Sequence, residues 1–306
     1  MKSNTIKGTA VIALSLLVAA SSFATKNSEY CEFAPQNNVQ VPIGYEKAGQ
    51  TGLDEKTYNS AIDLVEKYYK PIVAAKGATL KINRMWTTNA ANSTAHRTGK
   101  MWFVDAYGGL ARLPIMTRDA EVAVLCHEMG HHLGGFPQVK SLFGSSWASN
   151  EGQADYYATM KCFRLVNAKD DNVTAMSNIS IPKAVTAGCQ NTFKSTTEIA
   201  LCQREALAGK VLAQVLWELG GGKPTTPALE SPKAPDFETP DASSVSATNS
   251  AHPAAQCRLD TYFSGSICGI AASEEFGQKD GITGACAQEK GDKMGFRPTC
   301  WYKPGK

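Results

Sequence analysis

The residues with the clearest chemical capacity lie in Val124-Leu125-Cys126-His127-Glu128-Met129-Gly130-His131-His132. His127 and His131 are four apart, and Glu128 follows the first of them. On an α-helix, which turns about 100° per residue, the two histidines share one face, one turn apart. Two imidazoles so placed can close on one Zn²⁺ at about 2.0–2.1 Å, and a carboxylate beside the first can reach a water at the metal without being a ligand. Catalytic zinc needs a third protein ligand and keeps one position open. Glu151, 20 residues beyond His131, is the candidate. Asp155 comes four residues later, on the same helical face. It is placed to accept a hydrogen bond from the outer N–H of a ligand histidine, His127 first. A carboxylate in that place fixes the tautomer and the ring orientation. The blander reading of all five is two surface histidines and three solvated acids on ordinary helices.

Elements must hold these groups. Thr117 is a good N-cap for the histidine helix, with Asp119 and Glu121 in its first turn. Gly134-Gly135 and Pro137 end it. A loop over 136–148 is expected, then a helix from Ser149 to Leu165 that carries Glu151 and Asp155. Upstream, Tyr58, Ile62, Val65 and Tyr69 mark one face of a helix that begins near Leu53-Asp54, with Pro71 to end or kink it. Residues 80–86 and 100–107 alternate like strands, separated by a polar, turn-rich stretch over 87–99. Residues 167–197 are weakly patterned. Ala208, Val211, Leu212, Val215, Leu216 and Leu219 mark an amphipathic helix closed by Gly220-Gly221-Gly222. The fold class expected is α+β, mainly helical, with a small sheet.

Composition sets the compartment. The 306 residues, 43% hydrophobic and 19% charged, describe a globular chain. Lys2 and Lys7, the short apolar run Thr9–Ala20 and the Ser22-Phe23-Ala24 step read as a signal peptide over 1–24, hence export to the periplasm or beyond. The formal charge of +3 then falls to about +1, which gives no case for nucleic acid. Beyond the leader nothing is apolar and long enough to span a membrane. Nine cysteines in an exported chain imply disulfides. Cys126, beside His127, is expected buried and unbridged, with local pairs Cys257–Cys268 and Cys286–Cys300. Residues 25–222 read as the catalytic domain and 223–250, rich in Pro, Ser and Thr, as a linker or surface loop. Residues 251–306 read as a Cys-rich, disulfide-pinned, loop-rich tail packed on that domain. The oligomeric state is not legible.

His-Glu-x-x-His followed by Glu-x-x-x-Asp resembles the gluzincin metallopeptidases, and most of all the HtpX and CAAX-prenyl-protease-like family. That family carries E-x-E-A-D, against Glu151-Gly152-Gln153-Ala154-Asp155 here. Gln153 departs at a place that is not a ligand. Asn92-Ser93-Thr94-Ala95, the strand at 100–107 and Gly109-Leu110 follow the family's order loosely, and His252-Pro253 with Arg258 fits its late H-P-x-x-x-x-R. The resemblance implies a zincin-like fold and a zinc endopeptidase with one Zn²⁺ on His127, His131 and Glu151, Glu128 as general base and Asp155 behind a ligand. It also implies His252, helped by Arg258, as a donor to the oxyanion, or His252 as a fourth ligand that keeps the enzyme latent. The strand at 100–107 is the expected edge for an extended peptide or protein substrate. Two other classes stay open: an exported binding module with a degenerate or structural zinc site, and a zinc amidase acting on cell-wall peptide.

Overall fold

The computed structural model describes residues 30–45, 52–141, 144–220 and 233–305; the expected leader at 1–24 and the start of the expected linker, 223–232, lie outside them. A short strand, β1 (Tyr30–Glu32), precedes α1 (Glu55–Ala75). Asp54 caps α1 by accepting from the Thr57 amide at 2.7 Å. Tyr58, Ile62, Val65 and Tyr69 bury the face their spacing marks. Pro71 lies inside α1 without ending it. Val73, beyond it, is fully buried, and that packing holds the last turn against the hydrogen bond proline removes.

The sheet holds β2 (Thr79–Met85), β3 (Ser93–Thr98) and β4 (Met101–Tyr107) in the order β1-β3-β4-β2. β2 is parallel to β4, and β3 is antiparallel to both β4 and β1. Two expectations are corrected here. Part of the polar stretch 87–99 is a strand, hidden in the sequence because Ser93, Thr94 and Ala95 are all buried rather than alternating. Its hydroxyls are satisfied inside the sheet: Ser93 Oγ donates to Asp105 O at 3.0 Å and Thr94 Oγ1 to Asp105 Oδ2 at 3.3 Å. The strand at 100–107 is not an edge. β2 and β3 occupy its two sides, so it has no backbone left for a substrate.

After α2 (Gly108–Ala111), Thr117 starts α3 (Arg118–Leu133) by accepting from the Ala120 amide at 3.1 Å. Every residue of α3 from Ala120 to His132 is buried. A helix covered on all sides is the centre of a domain, and α3 packs on α1, on β3 and on the helices that follow. The expected loop 136–148 is largely a hairpin of β5 (Gln138–Ser141) and β6 (Gly144–Ser149). Asn150, not Ser149, caps α4 (Glu151–Tyr157) by accepting from the Gln153 amide at 2.9 Å. A π-helical turn, Ala158–Phe163, leads to α5 (Arg164–Asn167). The weakly patterned stretch holds α6 (Asn172–Met176) and α7 (Lys183–Thr192). α8 (Thr196–Leu219) starts a full three turns before its apolar stripe, at the Ser195 cap. α9 (Ala255–Ser266) packs on α8 and α4.

Four disulfides pin this arrangement, and three cysteine expectations fail. Cys126 is bonded to Cys162, tying α3 to the π-helical turn; the cysteine outside the bridges is Cys31, buried in β1. Cys257–Cys300 and Cys268–Cys286 replace the two local pairs, and Cys189–Cys202 joins α7 to α8. The reason is α9. At 1.5 Å per residue it carries the chain about 13 Å from Cys257 to its end at Ser266, two residues before Cys268, against the roughly 6 Å a disulfide spans. The tail is pinned and loop-rich as expected, though it opens with that helix. Residues 243–249 run along it, with Val245 N donating to Thr299 O at 2.9 Å and Asn249 N to Trp301 O at 2.8 Å. Among the described residues no helix is long and apolar enough to cross a membrane.

Candidate metal centre

Two glycines let the elements meet. A Cβ on Gly130 would stand 2.7 Å from Ala154 O, so only glycine allows α4 this close to α3. On the far side of α4, Gly152 lies under the Trp301 ring, where a Cβ would stand 2.2 Å from it. Held between α3 and the tail, α4 brings Glu151 to the two histidines. His127 Nε2 and His131 Nε2 are 3.1 Å apart. Glu151 Oε2 is 3.4 Å from the first and Oε1 3.7 Å from the second. All three residues are buried, and one ligand atom from each lies within 4.8 Å of the others.

The outer ring nitrogens decide what the inner ones can do. His127 Nδ1 donates to Asp155 Oδ1 at 2.8 Å, and His131 Nδ1 donates to Ser149 O at 2.9 Å. A carboxylate and a carbonyl only accept, so both Nδ1 atoms carry protons and both Nε2 atoms turn inward. Burial opposes a charge on His127, but Asp155 outweighs it and pushes the imidazole up to about 9. Burial pushes His131 down to about 4. The proton the pair can share therefore belongs to His127, at the point where the three ligand atoms converge. A divalent cation competes with it for that point. Burial would raise Glu151, yet His131 and its neighbours hold it well below the usual carboxylate range. The donor set fits a metal ion: two neutral-capable imidazoles and an ionised carboxylate, with Glu151 Oε2 buried and without a hydrogen-bond partner. The geometry does not by itself choose the metal.

Glu128 lies beside this group. Both its oxygens are buried and neither has a hydrogen-bond partner. Burial pushes the carboxyl up to about 8, with His127 opposing the rise and Glu151 adding to it; the Ser93 hydroxyl is near enough to oppose it too, but its proton goes to Asp105 O at 3.0 Å. Asp155, one turn after Glu151, is gripped from behind: Arg258 donates through Nε to Oδ2 and through Nη2 to Oδ1, both at 2.7 Å. Burial works against the Asp155 charge, but Arg258 and His127 hold its carboxyl below the usual range. The third arm of Arg258, Nη1, donates to Phe33 O at 2.6 Å. Arg258 is thus committed to Asp155 and to backbone, not turned toward an oxyanion. His252 Nε2 donates to Glu32 O at 2.7 Å and lies 3.4 Å from Glu151 Oε2. A carbonyl only accepts, so this nitrogen carries the proton and His252 donates at the rim of the group.

No family model, no curated protein and no solved structure matches the chain.

The structure brings His127, Glu128, His131, Glu151, Asp155, His252 and Arg258 to one place. Sequence reasoning missed Phe33 and Tyr262. The Phe33 ring stands edge-on to His127 with centroids 5.3 Å apart, and no spacing in the sequence signals it. Tyr262 accepts from Arg258 Nη2 at 3.2 Å, and its place four residues after Arg258 was a usable signal on α9. Gln153 donates to Gly134 O at 2.6 Å and accepts from Arg297 Nε at 2.6 Å, so it ties α4 to the end of α3 rather than facing the metal group. A second convergent set, Asp241 with Cys257 and Cys300, offers no thiolate because its cysteines are bridged.

Proposed function

We propose that the protein is an exported zinc-dependent endopeptidase. The observation that carries this is Glu128: a carboxylate with both oxygens buried and unpartnered, beside two inward imidazole nitrogens and Glu151. A desolvated acid pushed up to about 8 is a poor structural element and a good proton carrier near neutral pH. Two imidazoles and one carboxylate are a ligand set that suits zinc in hydrolytic sites. Zinc held by His127, His131 and Glu151 would supply Lewis acidity and lower the pKa of a water there. Glu128 would accept a proton from that water and give it up to the leaving amine. Asp155 keeps the His127 proton on Nδ1, and Arg258 keeps Asp155 charged and in place. His252 offers an N–H to a carbonyl oxygen at the rim. Four disulfides support an oxidising compartment, which fits an exported protein.

The test is metal analysis and cleavage of an extended peptide library by wild type and Glu128→Gln. Both should hold about one zinc per chain, while cleavage falls about 10²–10⁴-fold in the variant. A wild type that binds no zinc, or a variant that cleaves as wild type does, overturns the proposal.

A further inference from the structure

Apart from β1, β3 would be the open edge of the sheet on the side of the metal group. β1 pairs with it antiparallel over three residues, Tyr30 with His96, Cys31 with Ala95 and Glu32 with Thr94. The pairing runs on past the strand. Phe33 N donates to Ser93 O at 3.0 Å, and Ala34 N to Asn92 Oδ1 at 2.9 Å. Here the segment meets the site itself. The Glu32 carbonyl accepts from His252 at 2.7 Å and the Phe33 carbonyl from Arg258 at 2.6 Å. Phe33 is fully buried with its ring against His127, whereas Tyr30 is 54% exposed. A backbone strand on a sheet edge, its carbonyls held by the site's own donors and one large apolar side chain lodged beside the metal ligands, has the form in which an extended peptide binds.

We infer that the outer edge of β3 is the site where a substrate strand pairs, and that residues 30–34 fill it as an internal stand-in, with the Glu32–Phe33 peptide in the place of the bond to be cut. Calling the visitor a substrate rests on the peptidase reading; the groove for an extended peptide does not. The partner class follows from the occupant. It is a stretch of extended chain with a bulky apolar residue just after the carbonyl that His252 holds. A charged residue there would lie buried against His127. Substrate and segment exclude each other, so the competent fraction of molecules is the fraction in which the segment has left.

The experiment uses the full chain with a recognition sequence for a site-specific protease inserted between Pro35 and Gln36, both exposed. Cutting should raise cleavage of extended peptides about tenfold or more, as release of a competing state predicts. A fluorescent peptide spanning Ser28 to Pro35 should bind the cut protein and compete with substrate, and its Phe33→Asp version should bind about tenfold more weakly. If the cut protein cleaves no faster and ignores the peptide, the inference fails and the peptidase reading stands. If no form cleaves anything yet the peptide binds after cutting, the peptidase reading fails and the groove stands. Should the cut protein lose its near-UV circular dichroism, the uncut Tyr30→Cys/His96→Cys variant decides, because a disulfide across that partnered pair locks β1 in place. Peptide binding by wild type and its loss in the oxidised variant support the inference, and equal behaviour of the two, including no binding by either, overturns it.

Discussion

His131 and His132 are neighbours in sequence, both buried, and they face opposite worlds. His131 turns one nitrogen to Ser149 O and leaves the other toward His127 and Glu151. His132 has both nitrogens occupied. Its Nε2 donates to Phe103 O at 3.0 Å, and its Nδ1 accepts from Arg97 Nε at 3.1 Å. Its ring is stacked between Trp102 and Trp147, with centroids 5.2 and 5.0 Å away. Burial and the Arg97 charge hold it well below the usual imidazole range. One face of α3 thus gathers carboxylates around two inward imidazole nitrogens, and the other closes both nitrogens of His132 with hydrogen bonds. What equips a buried histidine to bind a metal is an inward nitrogen whose outer partner has already fixed the proton; burial alone gives a packing residue.

The sharpest way to break that contrast is to remove each histidine. His131→Ala should abolish stoichiometric metal binding, a loss beyond the roughly 10–100-fold that follows when only an outer partner is removed. His132→Ala should keep about one metal per chain and lose about 2–4 kcal/mol of stability from the emptied aromatic stack. Metal analysis and denaturant unfolding of both variants check this, and a His132→Ala protein without metal would end the distinction.

A smaller effect tests the support of the metal face. Arg258→Met leaves Asp155 buried without its cation. Unfolding free energy should fall by about 3–5 kcal/mol, and metal affinity by about 10–100-fold as the His127 ring loses its anchor. Competition with a chelator measures the second quantity. Unchanged affinity would mean that Asp155 orients His127 unaided.

The last effect is visible only as a dependence on pH, and it lies in the first turn of α3. Glu121 is 2% exposed, Oε2 has no hydrogen-bond partner, and burial pushes the carboxyl up to about 8. A folded-state value above the unfolded one means that the native chain binds more protons between about 4.5 and 8. Stability from this group is fully present below about 4.5 and is lost as pH rises toward 8, with a slope of at most about 1.4 kcal/mol per pH unit. Glu121→Gln should lower the slope of unfolding free energy against pH across that window, leaving the share of Glu128 and Glu205, which burial also pushes up to about 8. An unchanged slope would place the titration elsewhere.

How far the sequence could be read varied with the range of the interaction. Thr117 as cap, the shared face of His127 and His131, and Glu151 with Asp155 one turn apart are all local consequences of helix geometry, and all are present. β3 was not legible, because a strand buried on both faces by Ser93 and Thr94 has polar letters and no alternation. The bridge from Cys126 was not legible either. A neighbour of a ligand looked unbridged until α3 met the π-helical turn that carries Cys162.

By itself the sequence determined which groups could bind a metal and move a proton, since residue type and helical period fix what lies on one face. The tertiary structure alone decided that Arg258 backs Asp155, that β4 is covered on both sides, and that Glu32 and Phe33 lie over the site. The order of the sheet joins strands close in the chain, but the contacts of Arg258 and His252 join residues 103, 220 and 225 apart, and no local spacing carries them; they exist only once α9 and β1 have packed against α3 and α4 around one buried cluster of charge.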